Sequence, residues 1–252
     1  ASSSRFTYKD AEEQYKNDRD AKETLFSFKR CMAHFAVDEN FITFTTKIAG
    51  QDTRFMPFNK GTDEGGAGNP LNPAGTMTDY LWEYFLKKET LTSLIRDFVY
   101  LAGDKSKRVE TLIFPRYHQY RVVTRLVDDV KEKGVGGRYL IQHSAGSGKS
   151  NSITWLAYRL VEVNHQDRKV FDSVIVVTDR LNLDKQITDN IRKFIDERSV
   201  VGHANSSTDL KNLLIDSKKI IITTVQKFPY LLDKIGTELK EKNFAIIIDE
   251  AH

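Results

Sequence analysis

The 252-residue sequence contains a single cysteine, Cys31, and only five prolines. One cysteine cannot form an internal disulfide, which excludes disulfide-stabilised secreted scaffolds and favours a reducing compartment, the cytoplasm. The longest apolar runs, such as Val174–Val177 and Phe244–Ile248, have the length of strands, far below the roughly 18 residues of a membrane-spanning helix. The N-terminal residues also lack the apolar segment of a signal peptide. The sequence therefore predicts no membrane partner.

The sequence also lacks a strong excess of charge of either sign. It has 38 Lys and Arg against 35 Asp and Glu, which gives a formal net charge of +3. This balance is compatible with nucleic-acid binding but does not predict it, because an ordinary solvated surface explains the same charges. Hydrophobic residues make up 40% of the chain, enough for a packed core, which excludes the disordered and fibrous classes.

The second half of the chain, residues 114–252, alternates short β-branched runs with helix-length amphipathic segments. This alternation is typical of a parallel sheet covered by helices on both faces, a doubly wound α/β fold. Ligands of such sheets bind at the carboxyl ends of the strands. The predicted strands are Tyr139–Gln142, Ser173–Thr178, Val200–His203, Ile220–Val225 and Phe244–Asp249. The predicted helices are Lys149–Val163, Leu181–Ile195, Ser207–Leu214 and Gln226–Leu232.

The first half, residues 1–113, does not repeat that pattern and is predicted to be an α+β region. Its predicted helices and strands are Tyr8–Arg19, His34–Val37, Phe41–Lys47 and a long helical stretch, Met77–Tyr100. Asn59–Gly75 is predicted to be a loop, and Gly103–Glu110 a connection into the α/β region. Trp82 and Trp155 are predicted to lie in the core, because each falls in an amphipathic helical segment.

The strongest functional signal follows the first predicted strand of the α/β region. Small residues separate that strand from a predicted helix, and glycines there let successive backbone N–H groups turn toward a phosphate at the positive helix N-terminus. Lys149 would neutralise phosphate charge, and the Ser150 hydroxyl suits Mg²⁺. The usual first glycine of G-x-x-x-x-G-K-[ST] is replaced by His143, and a turn arising by chance is the alternative. The predicted nucleotide-binding residues of this loop are His143, Ser144, Ala145, Gly146, Ser147, Gly148, Lys149 and Ser150.

A second signal ends the last predicted strand, where Asp249 and Glu250 follow an apolar run. An acid at a strand tip beside a phosphate loop can hold Mg²⁺, and an adjacent glutamate can orient and deprotonate an attacking water. The alternative is a cap for a following helix. We predict that Lys149, Asp249 and Glu250 carry the catalysis, with Ser150 and Asp249 as the magnesium ligands.

These two motifs resemble motifs I and II of superfamily 2 helicases and translocases, whose first motor lobe is RecA-like. More specifically, the chain resembles the restriction, or motor, subunit of type I restriction-modification enzymes. Residues 114–119 resemble the family's Gln motif, which implies that Gln119 reads adenine, with Arg116 beside the nucleotide; a simple polar connection is the alternative. Residues 176–183 and 222–228 resemble motifs that face DNA, although helix capping explains the threonines nearly as well. The implied DNA-binding residues are Thr178, Arg180, Thr223, Thr224 and Lys227.

The resemblance implies an ATP- and Mg²⁺-dependent motor that translocates double-stranded DNA and cuts it, in complex with methyltransferase and specificity subunits. It also implies that the chain is a fragment. Residues 1–113 would be the tail of the nuclease domain and its connection to the motor, and residues 114–252 the first RecA-like lobe. The nuclease core would lie before residue 1, and the second lobe with its arginine finger after His252. The alternatives are another superfamily 2 helicase or remodelling ATPase, and a nucleotide-gated docking module.

Overall fold

A computed structural model describes residues 6–62, 64–104, 109–144, 146–178, 191, 200–228 and 239–250. The chain forms two compact units, Ala1–Tyr120 and Arg121–His252. Within the described ranges, no helix is both long enough and apolar enough to cross a bilayer.

The first unit combines helices with small antiparallel sheets. Helix α1, Tyr8–Asn17, begins with a capping box, in which the backbone N–H of Thr7 donates to Asp10 at 2.7 Å. Strands β1, β2 and β3 form one sheet, and β4 and β5 form a hairpin. Helix α3 begins in this unit and ends in the second. The remaining bounds are β1 His34–Val37, β2 Ile42–Thr45, β3 Met56–Pro57, a π-helix Leu81–Phe85, α2 Lys88–Asp97, β4 Tyr100–Asp104, β5 Val109–Ile113 and α3 Tyr117–Lys133.

Aromatic rings build the core of the first unit. The ring of Phe58 lies 4.6 Å from that of Phe85 and 5.6 Å from that of Phe44, both in edge-to-face arrangements. Such pairs contribute free energy beyond the burial of their area. The hydroxyl of Tyr80 donates to the carbonyl of Phe58 at 2.7 Å, which fixes the helical segment to the loop that follows β3. The first unit is thus centred on Phe58.

Several predictions for the first unit are confirmed and others are wrong. The helix at Tyr8 and the two strands at His34 and Ile42 are present. The predicted helix 77–100 is instead divided, because Lys87 is extended (φ −65°, ψ 147°) between the π-helix and α2. Trp82 is 49% exposed, since Leu81 and Phe85 occupy the buried face of that short helix. At the two ends of the predicted connection 103–110, Gly103 pairs with Glu110 and Asp104 with Val109, as part of the antiparallel pairing of β4 with β5.

The second unit is an α/β structure, and its sheet confirms the predicted fold class. Four parallel strands pair in the order β11, β8, β10, β9, as a RecA-like lobe requires. The bounds are α4 Lys149–Glu162, β6 Asn164–His165, β7 Arg168–Lys169, β8 Ser173–Thr178, β9 Val201–His203, α5 Ser207–Ile215, β10 Ile220–Thr224, a 3-10 helix Val225–Lys227 and β11 Phe244–Ile248. One face of the sheet packs Ile175, Val177 and Ile221 against Leu210 and Leu214 of α5.

Helix α4 also packs on the sheet and contacts β8, β10 and β11. Trp155, in the middle of α4, is completely buried, as predicted. The predicted helices at 149 and 207 are therefore confirmed. The predicted helix Leu181–Ile195 lies outside the described residues except for Ile191, and Gln226–Leu232 is described only as far as Phe228.

The predicted strand Tyr139–Gln142 is wrong. Residues 137–144 are described as an irregular segment, and Leu140 is 90% exposed. The hydroxyl of Tyr139 donates to Asp129 of α3 at 2.6 Å. Apolar composition favours a strand, but a strand also needs a neighbour with which to exchange backbone hydrogen bonds, and β11 pairs with β8 alone among the described strands. Helix α3 itself was missed by the sequence analysis, which identified only its first residues.

Candidate nucleotide-binding site

The glycine-containing loop meets the first turn of α4 through a left-handed residue. Gly148 is the N-cap of α4 with φ 84°, and Gly146 has φ 72°. L-residues with a side chain rarely adopt these values, so glycine at both positions has a backbone reason. His143 stands where the pattern usually has a glycine. Its imidazole lies 3.1 Å from the hydroxyl of Ser147, so the two side chains contact each other across the loop.

The described part of the loop has features that suit a phosphate, and the nucleotide contacts of its residues stay predictions. Helix α4 begins at Lys149, so the positive end of its dipole lies at the loop. Ser147 is buried, whereas Ser144 and Gly146 are exposed. Ala145 lies outside the described residues.

The two sequence signals converge in space. The ammonium group of Lys149 donates to the carboxylate of Glu250 at 2.8 Å, across 101 positions of sequence. Their side chains are 38% and 35% exposed, so this ion pair is reachable by a ligand from solvent. The hydrogen bond with Glu250 raises the pKa of Lys149, which keeps its ammonium group charged. The sequence analysis placed both residues in one site but did not foresee their direct contact.

Asp249 is buried, unlike its neighbour. Its residue exposure is 7%, and its backbone N–H donates to the carbonyl of Val177 at 2.9 Å, which continues the pairing of β11 with β8. Burial raises the pKa of Asp249, and the charge of Lys149 opposes that rise. A buried carboxylate has lost its hydration, so its negative charge needs a nearby positive charge. Lys149 supplies such a charge to Asp249.

The donor set fits Mg²⁺ with ATP. Carboxylate and hydroxyl oxygens are hard ligands of the kind that Mg²⁺ prefers, and Asp249 and Ser150 supply one of each. Ser150 occupies the first turn of α4 beside Lys149 and is half-buried, and its carbonyl accepts a hydrogen bond from Thr154 at 2.8 Å. That bond holds the first turn of the helix in place. The arrangement can therefore hold a phosphate group, a divalent cation and a water-orienting carboxylate together.

A cleft of about 650 Å³ adjoins the site within the second unit. Its walls come from α3, from residues 136–143, from α4 and from β11, and Lys149, Asp249 and Glu250 line one end. Apolar side chains such as Leu126, Leu156 and Ile247 line the remainder. Sequence reasoning missed this cleft because it missed α3.

Gln119 and Arg116 lie at the beginning of α3, in the first unit. Gln119 is 3% exposed, and its side-chain oxygen accepts a hydrogen bond from the backbone N–H of Arg116 at 2.8 Å. The two predicted residues are therefore linked to each other at a helix N-terminus. Their contact with adenine stays a prediction.

The residues predicted to bind DNA have different surroundings. Thr178, Thr223 and Thr224 are all buried at the carboxyl ends of β8 and β10, so their hydroxyls are not displayed on the described surface. The ammonium group of Lys227 donates to the carbonyl of Ala204 at 2.5 Å. Arg180 lies outside the described residues. DNA contact by these side chains stays a prediction.

The chain matches a family model described as the SWI2/SNF2 ATPase over residues 118–252. It is also 28% identical over 192 residues to a Mycoplasma pneumoniae protein whose name proposes it as the C-terminal part of the endonuclease subunit of the type I restriction enzyme MpnIIP; the match covers 69% of this chain and 87% of that protein. It is 27% identical over 195 residues to the proposed endonuclease subunit of MjaVIIIP from Methanocaldococcus jannaschii, covering 68% of this chain and 18% of that one.

Among solved structures, a fragment proposed as the HsdR subunit of a type I restriction enzyme from Vibrio vulnificus YJ016 matches with a TM-score of 0.34 and 12% identity. That match covers 93% of this chain and 42% of the fragment. The chain thus spans most of the first relative and less than half of the other two proteins. The family model covers more than half of the chain and includes both the phosphate loop and the Asp249–Glu250 pair. The chain belongs to the SWI2/SNF2 ATPase family, and its relatives confirm its resemblance to the endonuclease subunits of type I restriction enzymes.

Proposed function

We propose that this chain carries the ATP-binding lobe of a DNA-translocating endonuclease subunit of a type I restriction-modification system. The observation that carries the proposal is the meeting of Lys149 and Glu250 at 2.8 Å. The pair brings a phosphate-loop lysine and a strand-tip glutamate, 101 positions apart in sequence, to the carboxyl end of a parallel sheet, where ligands of such folds bind. In this proposal, residues 114–252 are the first RecA-like lobe and residues 1–113 end the nuclease domain and connect it to the motor.

Each site residue has a proposed role in ATP hydrolysis. Lys149 exchanges Glu250 for the β- and γ-phosphates and neutralises their charge. Glu250, released from that ion pair, orients the attacking water and accepts its proton as the bond between the γ-phosphorus and the bridging oxygen breaks. The loop residues His143, Ser144, Ala145, Gly146, Ser147 and Gly148 surround the phosphates. Gln119 and Arg116 are proposed to hold the adenine.

Ser150 and Asp249 would hold Mg²⁺, which when bound offsets the negative charge of the phosphates. The chemistry of the two donors supports this assignment, since one is a hydroxyl and the other a carboxylate buried near Lys149. The remaining residues of the loop serve to present backbone N–H groups to the same phosphates.

Duplex DNA and two further kinds of subunit are the proposed partners. The relatives named as type I restriction endonuclease subunits support a multisubunit complex that acts on DNA. Methyltransferase and specificity subunits are the proposed members of that complex. Thr178, Arg180, Thr223, Thr224 and Lys227 were predicted to follow the DNA backbone, and Arg180 and Lys227 supply the positive charge that such contacts need. The cytoplasm is the proposed compartment.

Binding of a fluorescent ATP analogue with Mg²⁺ tests the proposal directly. We expect the protein to bind the analogue and Lys149→Ala to lose at least about tenfold in affinity, because a charge-assisted contact to phosphate disappears. The matched control is Lys133→Ala, which removes a lysine that is also paired with a carboxylate, that of Asp129 on α3. Equal binding by Lys149→Ala and Lys133→Ala would refute the phosphate-loop assignment.

A second candidate is a SWI2/SNF2 ATPase that remodels or repairs DNA without restriction. The family match over residues 118–252 favours it as much as the first candidate. The two differ in what switches the motor on. A subunit that works in complex with methyltransferase and specificity subunits should need those subunits, as well as DNA, for ATP hydrolysis. Hydrolysis stimulated by any duplex DNA without those subunits would favour the second candidate.

A further inference from the structure

Thr178 carries a buried hydroxyl group on its side chain. It ends β8 and is 1% exposed, and its hydroxyl has no hydrogen-bond partner among the described residues. An unpaired buried hydroxyl costs free energy, because it has lost its bonds to water without replacement. Such groups are rare and often mark a partner that arrives with a ligand.

The strand register sets this hydroxyl beside the magnesium carboxylate of the proposed site. Ile248 pairs with Val177 in the parallel register, and the bond from the Asp249 N–H to the Val177 carbonyl carries that register one residue further. Asp249 thus lies next to Thr178 on a neighbouring strand, about 4.8 Å away. Because side chains alternate along a strand, both project to the face opposite that of Val177.

The two faces of the sheet have different surroundings at the end of β8. Val177 packs with Ile175 and Ile221 in the apolar cluster under α5, so the face that carries Asp249 and Thr178 is the other one, where Asp249 meets the site of Lys149. A buried carboxylate needs hydrogen-bond donors to keep one orientation. The threonine hydroxyl is a donor at the right place, and rotation about one bond, χ1, aims it at the carboxylate.

We propose that Thr178 is a positioning residue whose hydroxyl donates to the carboxylate of Asp249 and orients it toward the magnesium ion that accompanies ATP. This role rests on the proposed nucleotide site. It replaces the DNA contact expected of Thr178 from its motif, because a side chain with 1% exposure reaches an interior carboxylate more readily than an external phosphate. Second-sphere donors of this kind set the orientation of metal ligands and commonly change metal affinity by tenfold or more.

Ser173 offers a matched control at the other end of β8. It is 1% exposed, and its hydroxyl is also without a partner among the described atoms. However, it begins β8 and pairs with Phe244 in the register of β11 with β8, so it lies at the opposite end of the strand from Thr178 and projects to the other face of the sheet. Ser173→Ala therefore removes a buried, unpaired hydroxyl from the same strand, but away from Asp249.

The experiment titrates Mg²⁺ at a fixed concentration of a fluorescent ATP analogue and measures binding to the protein. We expect Thr178→Val to raise the Mg²⁺ concentration for half-maximal binding by about tenfold, whereas Thr178→Ser and Ser173→Ala stay within about twofold of the unmodified protein. Circular dichroism checks that each variant is folded. Should Thr178→Val not fold, Thr178→Ala against Thr178→Ser makes the same comparison, with and without the hydroxyl.

The outcomes separate this inference from the function on which it rests. Equal Mg²⁺ curves for Thr178→Val and Ser173→Ala would overturn it and leave Thr178 as an ordinary buried hydroxyl. A shift in Thr178→Ser as large as that in Thr178→Val would also overturn it, since the hydroxyl is then irrelevant. If Lys149→Ala binds the analogue as well as the unmodified protein, the nucleotide site itself fails; if Lys149 matters and Thr178 does not, only the positioning role fails.

Discussion

The two units of this chain bury different side chains in different ways. The first unit gathers rings from distant positions, among them Phe35, Phe44 and Phe114 around Phe58. The second unit stacks valine and isoleucine from parallel strands, and all six residues of β8 are buried. A parallel sheet repeats its apolar pattern along each strand, so sequence reveals it. A core assembled from single aromatic residues produces no periodic pattern in the sequence. The predictions were therefore closer for the strands of the parallel sheet than for the elements of the first unit.

The residues proposed to hydrolyse ATP lie in the second unit, and Glu250→Gln tests that proposal with the largest expected effect. Removing the carboxylate should lower ATP hydrolysis by about 10² to 10⁴-fold, because the amide cannot accept a proton from water. Binding should persist or tighten, since Lys149 loses the partner with which phosphate competes. Steady-state hydrolysis and analogue binding measure the two effects.

Glu162→Gln is the control for that prediction. Glu162 is an exposed glutamate at the end of α4, in the same unit, and its substitution should change neither hydrolysis nor binding. Undiminished hydrolysis in Glu250→Gln would remove Glu250 from the proposed chemistry.

Phe58→Ala tests the other side of the comparison, that rings stabilise the first unit. Phe58 is fully buried among at least three other rings, and truncating such a phenylalanine typically costs about 3–5 kcal/mol. Hydrogen exchange at the amides of β1 and β2 should accelerate accordingly, while exchange at the amides of β8 and β10 in the second unit stays the same.

Phe41→Ala is the matched control, because Phe41 belongs to the same unit but is 37% exposed. Its truncation should cost about 1 kcal/mol or less. If the two variants lose the same amount of protection, the ring cluster is not what stabilises this unit.

The smallest expected effect is a loss of stability of the first unit at acid pH. Burial lowers the pKa of His34, whose ring lies 5.7 Å from that of Tyr15 and 5.8 Å from that of Phe26. The unfolded chain then takes up a proton near its ordinary pKa of about 6.5, while the folded chain resists it. The associated stability is present above that pH and is lost as pH falls toward the folded pKa.

Urea unfolding at pH 7.5 and pH 5.5 measures this loss for the unmodified protein and for His34→Phe. We expect the acid-dependent loss to be about 1 kcal/mol or less and to shrink in the variant, which has no titrating ring at this position. The same loss in both proteins would show that other groups are responsible.

The sequence alone was sufficient for much of the second unit. Four of its predicted strands are present at nearly the predicted bounds, and α4 and α5 begin where their sequence signals lie. The glycine before Lys149 is a local signal, because its left-handed backbone is one that residues with a side chain rarely adopt. The structure adds a cap for α5, where the Ser206 side chain accepts a hydrogen bond from the backbone N–H of Asp209. The roles of Lys149 and Glu250 were predicted from short motifs in the same way.

The failures share a physical cause. Tyr139–Gln142 has the composition of a strand but no partner strand among the described residues. Gly103, Asp104, Val109 and Glu110 fall in a segment with the composition of a loop, yet they pair between β4 and β5. Pairing is a property of two segments together, and local composition reports only one of them. The prediction that Trp82 is buried was wrong for a similar reason. Its burial depends on which side of a short helix faces the aromatic core, and the sequence of the helix does not contain that information.

Local patterns, strand periodicity and the phosphate loop, were enough to predict the class of the second unit and to nominate residues for phosphate and magnesium. The direct bond of Lys149 to Glu250 and the position of Thr178 beside Asp249 emerge only in the folded chain. The contact of Lys149 with Glu250 joins positions 101 residues apart. The position of Thr178 follows from the register between β8 and β11, which the order of residues in either strand does not contain.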